Sequence, residues 1–333
     1  MIGLDNGGTS NNATILDLSG DFLVGGLAET PSRVREGPTV AITALVEALD
    51  AILLSTGAAR ADVRAVGLDT PGPASADGVI SSKGSTNFME PEWRGFDVRG
   101  ALEARLGLPV VYLNDGNAAA LYAHHRHFGE QAVARSSASA IIGTGLGGGL
   151  VEGGTVIGGA AGMAGELGHV HIPMAGLLEA GQPVPRCNCG FAGDAESVAS
   201  LTGLELNLLP YWLTQYEGHE LAGVEPRAAA RAARGYGERG DPLATRIFGQ
   251  QAMAIGRLFT IVANVTDPDA YFVGGGVIEA TPHFRDWFLD AVAASTTLRP
   301  EQARVATFAL VPDRDMAGAR GAAIAALAAL RGH

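Results

Sequence analysis

Ile2-Gly3-Leu4-Asp5-Asn6-Gly7-Gly8-Thr9 opens the chain, and Ala138-Ser139-Ala140-Ile141-Ile142-Gly143-Thr144-Gly145-Leu146-Gly147-Gly148-Gly149 answers it, with Gly7 and Gly145 138 positions apart. Each is a short apolar strand running into a glycine turn, and each turn leads into a return strand, Ala13 to Leu18 and from Leu150. Successive glycines let backbone N–H groups crowd around an anion with no Cβ in the way. One such hairpin reads equally well as a tight turn. Two in a duplicated plan, with a third glycine cluster, Gly274-Gly275-Gly276, behind the buried strand Tyr271-Phe272-Val273, point to phosphate binding. Asp5, at the end of the first strand, is placed to hold Mg²⁺ or its water beside those phosphates.

Working outward, Ser19-Gly20-Asp21 reads as a hairpin turn and Phe22 to Leu27 as a third strand. Pro38 starts a helix in which Val40, Leu45, Val46, Leu49, Ile52 and Leu53 recur at three- and four-residue spacing, and Gly57 ends it. A strand from Ala65 to Leu68, a helix over 97–107 and a strand from Val110 to Leu113 complete a β-β-β-α-β-α-β order. The second half repeats the plan. It adds a loop over 170–186, a long helix over 241–266 with Ile255, Leu258, Phe259 and Val262 on one face, and an Ala-rich closing helix over 316–331.

Composition removes several functions. Lys and Arg total 23, and Lys83 is the single lysine, leaving 22 Arg. No P-loop lysine and no kinase strand lysine is available, so phosphate must be handled by backbone amides, Arg or metal. The net charge of −12 argues against a nucleic-acid face. No apolar run reaches the roughly 18 residues of a membrane span, and no export signal is read at the N-terminus. Two cysteines, Cys187 and Cys189, give no disulfide framework and point to a reduced, cytoplasmic setting.

Two further stretches carry chemistry. In Asn114-Asp115-Gly116-Asn117-Ala118-Ala119 a strand hands over to a helix, so Asp115 stands at a strand's carboxyl end, where open α/β sheets bind ligands. There it reads as a helix cap or as a base for a substrate hydroxyl. Gly165-Glu166-Leu167-Gly168-His169 and Cys187-Asn188-Cys189-Gly190-Phe191-Ala192-Gly193-Asp194-Ala195-Glu196 bring together two Cys, a His and an Asp, a donor set for tetrahedral Zn²⁺. His171 is a spare ligand beside His169. His124, His125 and His127 read as a solvated helix face, Lys83 as a surface-loop residue, and Trp93 and Phe96 as packing.

Taken in order, Asp5-x-Gly7-Gly8-Thr9, Pro71-Gly72, Asn87, Asn114-Asp115-x-Asn117-Ala118-Ala119, the second glycine turn, Gly165-Glu166-x-Gly168-His169, Cys187-x-Cys189-Gly190-x-x-Gly193-x-x-Glu196 and Gly274-Gly275-Gly276 resemble the ROK family (repressors, open reading frames and kinases) of the actin-like sugar kinases. The resemblance covers essentially the whole chain. It implies an α/β, two-domain actin-like (ribonuclease-H-like) fold with a duplicated core and an interdomain cleft. The expected domains are 1–114, with the helix 316–331 packing back on it, and 115–315, which carries the zinc-type loop and the oligomer surface.

The resemblance further implies ATP-dependent phosphorylation of a hexose or hexose-like hydroxyl, glucose by default, with Asp115 as general base. Asn87, Asn114, Glu166, His169 and Glu196 would hold the sugar. Gly7, Gly8, Thr9, Thr144, Gly145, Gly274 and Gly275 would hold the nucleotide, and Asp5 would hold Mg²⁺. A structural Zn²⁺ would sit on His169, Cys187, Cys189 and Asp194, where Asp194 replaces a family cysteine. The 170–186 loop is longer than usual, Met89-Glu90-Pro91 is extra, and Asn6 replaces an apolar residue. These departures leave N-acetylmannosamine, mannose, fructose or a cyclitol as alternative substrates. A homodimer or homotetramer is expected, with no nucleic-acid or membrane partner. A sugar-sensing repressor would need a DNA-binding module ahead of Ile2, and a silent sugar-binding protein would not need Asp115.

Overall fold

The computed structural model describes residues 1–72, 74–82 and 87–332, with the side chains of 314 and 315 outside the description. Lys83 therefore lies outside the described residues. Two compact units form: Met1–Arg135 with Gly149–Gly165 and Pro312–His333, and Ser136–Gly148 with Glu166–Val311.

In the first unit the glycine turn joins β1 (Ile2–Asn6) to β2 (Ser10–Ile15) as an antiparallel pair, with Asp5 opposite Asn12. β3 (Ala28–Pro31) pairs with β2, while β4 (Val66–Thr70) and β5 (Val110–Asn114) add parallel strands, giving the order β3-β2-β1-β4-β5. Ile2 and Leu4 bury one face against the helices Pro38–Thr56 and Val98–Leu106. Pro38–Thr56 is long and apolar enough to cross a membrane by composition, yet Leu45, Leu49 and Ile52 are at most 1% exposed within that core. Trp93 is packing, as read: it is fully buried and donates from Nε1 to the Val34 carbonyl at 2.8 Å.

The other face is lined by Gly3 and Gly67, and the helix Arg314–Arg331 lies on it. A Cβ on Gly3 would collide with the Ala319 carbonyl, and one on Gly67 with that of Ala322. Gly321 of the same helix meets the Ala118 carbonyl of the helix Asp115–Phe128 equally closely. The division therefore differs from the one expected at 114/115. Asp115–Phe128 stays with the first unit because it packs on the C-terminal helix, and Gly149–Gly165 joins it through Val151 and Val156 beside Leu121 and Ile324.

Two local expectations are corrected. The third strand is Ala28–Pro31, not Phe22 to Leu27. Asp17 Oδ1 accepts from the N–H groups of Ser19, Gly20 and Asp21, so the turn forms, but only the Leu16–Phe22 bridge follows it. Pairing resumes past Gly25-Gly26, with Ala13 opposite Ala28. The three histidines are not one solvated face either. His124 is fully buried and bonds the Ala132 carbonyl at 2.9 Å, His125 bonds the Gly154 carbonyl at 2.9 Å, and His127 is exposed.

β6 (Ser136–Ile142), β7 (Leu146–Glu152), β8 (Thr155–Val156), β9 (Ala270–Gly275) and β10 (Thr307–Leu310) form the second sheet. Its order, β8-β7-β6-β9-β10 from one edge, repeats that of the first sheet strand for strand. Pro242–Val265 is the long helix expected, with Ile255, Leu258 and Phe259 fully buried. Residues 170–186 form no helix or strand, as expected; Gln250 Nε2 anchors the loop by donating to the Leu177 carbonyl at 2.9 Å.

Candidate functional site

The first glycine turn is closed by Gly7 N–H donating to the Ser10 carbonyl at 2.9 Å. Asn87 lies over it, since a Cβ on Gly8 would stand 2.6 Å from Asn87 Oδ1. Gly7 and Gly8 are half-buried and Thr9 is exposed. The strand ends beside the turn carry carboxylates. Asp5 Oδ2 accepts from Asn12 Nδ2 at 3.0 Å. Asp69 is its register neighbour on β4. Asn114 caps the next helix, its Oδ1 accepting from Asn117 N–H at 2.9 Å. Asp115 is the first helical residue and stands exposed, its Oδ1 accepting from Gly116 N–H at 2.8 Å. The cap role is thus taken by Asn114, and the Asp115 carboxylate faces outward at a helix N-terminus.

Asp69 belongs to no motif in the sequence, where it only follows the strand from Ala65 to Leu68. It is fully buried, and apart from the Asp5 carboxylate beside it neither of its oxygens has a hydrogen-bond partner among the described residues. Burial, then the charges of Asp5 and Asp115, push its carboxyl well above the usual carboxylate range. Burial likewise raises Asp5, with Asn12 opposing.

In the second unit the turn Gly143–Gly145 is held by Glu196. Glu196 Oε2 accepts from Leu146 N–H at 2.8 Å and leaves no room for a Cβ on Gly145. Leu201 and Thr202 N–H donate to the carbonyls of Gly143 and Thr144 at 3.0 and 3.1 Å. Arg227, another residue without a sequence signal, pairs with Glu205 at 2.6 Å and reaches Thr144 Oγ1 at 3.4 Å. Glu205 sits in a π-helical turn, Leu204–Leu208, a feature frequent at functional sites. Gly274 and Gly275 pair with Ile141 and Ile142 inside the sheet. A Cβ on Gly275 would strike the Ile142 carbonyl, so close packing by itself requires these glycines.

The other oxygen of Glu196 faces Cys187 Sγ at 3.2 Å, which joins the second turn to a four-residue cluster. His169, Cys187, Cys189 and Asp194 each offer a donor atom, all within 4.8 Å of one another. His169 Nδ1 stands 3.4 Å from Asp194 Oδ2 and 3.9 Å from Cys187 Sγ, and Cys189 Sγ is 3.5 Å from Asp194 Oδ2. Tetrahedral Zn²⁺ with bonds of roughly 2.0–2.3 Å needs donors about 3.3–3.8 Å apart. The two contacts of Asp194 have that spacing, and the set needs only a small contraction elsewhere. Asp194 is fully buried, and Ser197 N–H donates to its Oδ1 at 2.9 Å, which turns Oδ2 into the cluster. The bond to Asp194 raises the His169 imidazole to about 9. Burial alone would raise Asp194, but His169 and Ser197 hold it at about 2. Burial pushes the Cys187 thiol up. Glu166 precedes the turn Leu167–His169; burial, and then Glu196, raise its carboxyl, while His169 opposes. His171 stays outside the cluster, its ring 5.4 Å from that of Phe191.

A glucokinase of Halalkalibacterium halodurans is 29% identical over 310 residues, 90% of this chain and 89% of that protein. A ROK hexokinase of Thermus thermophilus shares the fold with a TM-score of 0.76 at 29% identity, over 100% of this chain and 99% of that one. A ROK glucokinase of Streptomyces griseus, solved with glucose and AMPPNP, matches with a TM-score of 0.64 at 27% identity over 98% of each chain. The expected α/β actin-like fold is therefore the one found. A family model described as ROK family matches residues 1–329, and the chain belongs to that family.

Proposed function

We propose that this protein is an ATP-dependent sugar kinase that phosphorylates a hydroxyl of a hexose or hexose-like molecule. The observation that carries the reading is the position of Asp115. Its carboxylate is exposed at a helix N-terminus at the carboxyl end of β5, near enough to Asp69 for its charge to be felt there, because Asn114 does the capping. The names of the relatives, glucokinase and ROK hexokinase, support the same activity. The relative solved with glucose and AMPPNP supports an ATP-type donor.

In this reading Asp115 accepts the proton of the attacking hydroxyl. The backbone N–H groups of Gly7, Gly8, Thr9, Thr144 and Gly145 hold the phosphates and offset developing charge. Gly274 and Gly275 shape the third turn. Asn87, Asn114, Glu166 and Glu196 hold sugar hydroxyls. His169 takes part through Nε2, since its Nδ1 faces Asp194. The paired carboxylates of Asp69 and Asp5, with no other described residue's donor on Asp69, fit a hard cation. Mg²⁺ held by Asp5 supplies neutralisation of phosphate charge when bound. Zn²⁺ held by His169, Cys187, Cys189 and Asp194 supplies structure only. It would fix His169 and, through Cys187, Glu196. The reading also includes a cytoplasmic, homodimeric or homotetrameric protein whose two compact units are its domains. Light scattering reads the oligomeric state directly.

Asp115→Asn tests the assignment. Folding and sugar affinity should persist while turnover falls by about 100-fold or more, as general-base losses do. Near-normal turnover would remove Asp115 from the mechanism. An ADP-release screen over glucose, mannose, N-acetylmannosamine, fructose and cyclitols identifies the acceptor.

A further inference from the structure

The face of the first sheet that meets the C-terminal helix is made for close approach. Gly3 on β1 and Gly67 on β4 carry no side chain, and the carbonyls of Ala319 and Ala322 fill the space where a Cβ would be. Two residues further along each strand, on the same face, stand Asp5 and Asp69, paired in register. The helix again presents a glycine. A Cβ on Gly318 would lie 3.2 Å from Asp5 Cγ and 3.2 Å from Asp69 Oδ2, so both carboxylates converge under that one residue.

The two carboxylates are not equivalent. Asp5 is half-buried and receives the Asn12 amide. Asp69 is fully buried, and among the described residues its only side-chain neighbour within hydrogen-bond reach is the Asp5 carboxylate, which brings no donor unless the pair holds a proton. Among the described residues no Arg or His ion pair reaches either of them. A buried carboxylate with no donor is costly, and a second one beside it adds repulsion. A packing role does not account for an Asp here, because the neighbours of that face that touch the helix are apolar or small, Met1, Leu16, Ala65, Gly67 and Val111 among them. Four hard oxygens, open on the Asp5 side and beside a phosphate-type turn, match the preference of Mg²⁺ for one or two carboxylates plus phosphate.

We propose that Asp69 is the second carboxylate of the divalent-cation site at the first glycine turn, so that Asp5 and Asp69 together bind the cation before nucleotide arrives. The proposal rests on the kinase reading only for the phosphates that complete the site. Its test needs no turnover. Nucleotide-free protein is supplied with one equivalent of Zn²⁺, so that Cys187 and Cys189 do not take up the probe. It is then titrated with Mn²⁺ and followed by electron paramagnetic resonance, with Mg²⁺ as competitor.

The wild type should bind one Mn²⁺ per chain, and Mg²⁺ should displace it. Asp69→Asn should weaken binding by at least about tenfold, and Asp5→Asn by as much. Without cation, Asp69→Asn should melt no lower than the wild type, because it removes an unpaired buried charge. Added Mn²⁺ should raise the melting temperature of the wild type and not of the variant. Unchanged Mn²⁺ binding by Asp69→Asn would overturn the proposal, as would the absence of binding by the wild type, since the pair would then hold a proton in place of an ion. Cation binding as described in a protein that phosphorylates no sugar would support the proposal and count against the kinase reading alone.

Discussion

Asp194 shows how one side chain decides a site. It stands among two thiols and an imidazole, and a carboxylate is a harder donor than a thiolate. The surrounding residues offset that difference. Ser197 N–H holds one oxygen, burial excludes water, and the other oxygen is aimed at His169 and Cys189. The purified protein should therefore contain about one Zn²⁺ per chain. Asp194→Ala should weaken Zn²⁺ by at least about tenfold, the scale of losing even an outer partner of a metal ligand, while Asp194→Cys should keep it. Plasma emission analysis and a chelator competition read both. Normal activity with well under half an equivalent of metal would remove zinc from the design. The cluster was legible in the sequence because its members crowd into His169 to Asp194. Asp69 was not, because its burial depends on Gly318, which is remote in the chain.

Among elements, the docking of the C-terminal helix places the first unit's carboxylates. Glycines at Gly3, Gly67 and Gly321 bring backbone against backbone, so the helix covers Asp69 and leaves Asp5 half-buried. Gly67→Ala would put a methyl group into the Ala322 carbonyl, and the helix must move. An overpacked core of this kind costs about 1–3 kcal/mol, and this contact belongs at the upper end because backbone cannot rotate away. Urea unfolding should show that loss in the midpoint with the slope unchanged. A variant as stable as the wild type would mean the helix is loosely seated. Alanine content foretold this helix, and periodicity foretold Pro38–Thr56; the local pattern was less reliable elsewhere. It misplaced the third strand, because Phe22 to Leu27 is apolar enough for a strand while Gly25-Gly26 delays the pairing to Ala28–Pro31. It missed the burial of His124, whose partner, the Ala132 carbonyl, lies beyond the end of its helix.

At the scale of the molecule, the same strand order occurs twice around two glycine turns, in a chain with one lysine and a net charge of −12. Such a chain repels a polyanion at long range, so attraction has to be local. In the kinase reading backbone amides and cations would supply part of it, and Arg227 is placed to supply more. It lies in the first turn of the helix Pro226–Glu238, is held by Glu205 and reaches Thr144 Oγ1 of the second turn, 83 positions away in sequence. That separation is why no local motif marked it. A guanidinium pre-ordered by its own carboxylate donates to an anion with little further loss of side-chain freedom. Arg227→Met should raise the KM for ATP by about tenfold, equivalent to roughly 1.4 kcal/mol and at the low end for a charged hydrogen bond, while the KM for sugar changes little. Lys83→Gln should leave both within about twofold, since lysine carries none of the phosphate chemistry in this design. Steady-state kinetics with each substrate varied in turn separates the cases. Loss of ATP affinity in Lys83→Gln with Arg227→Met unaffected would return the phosphate contact to the single lysine.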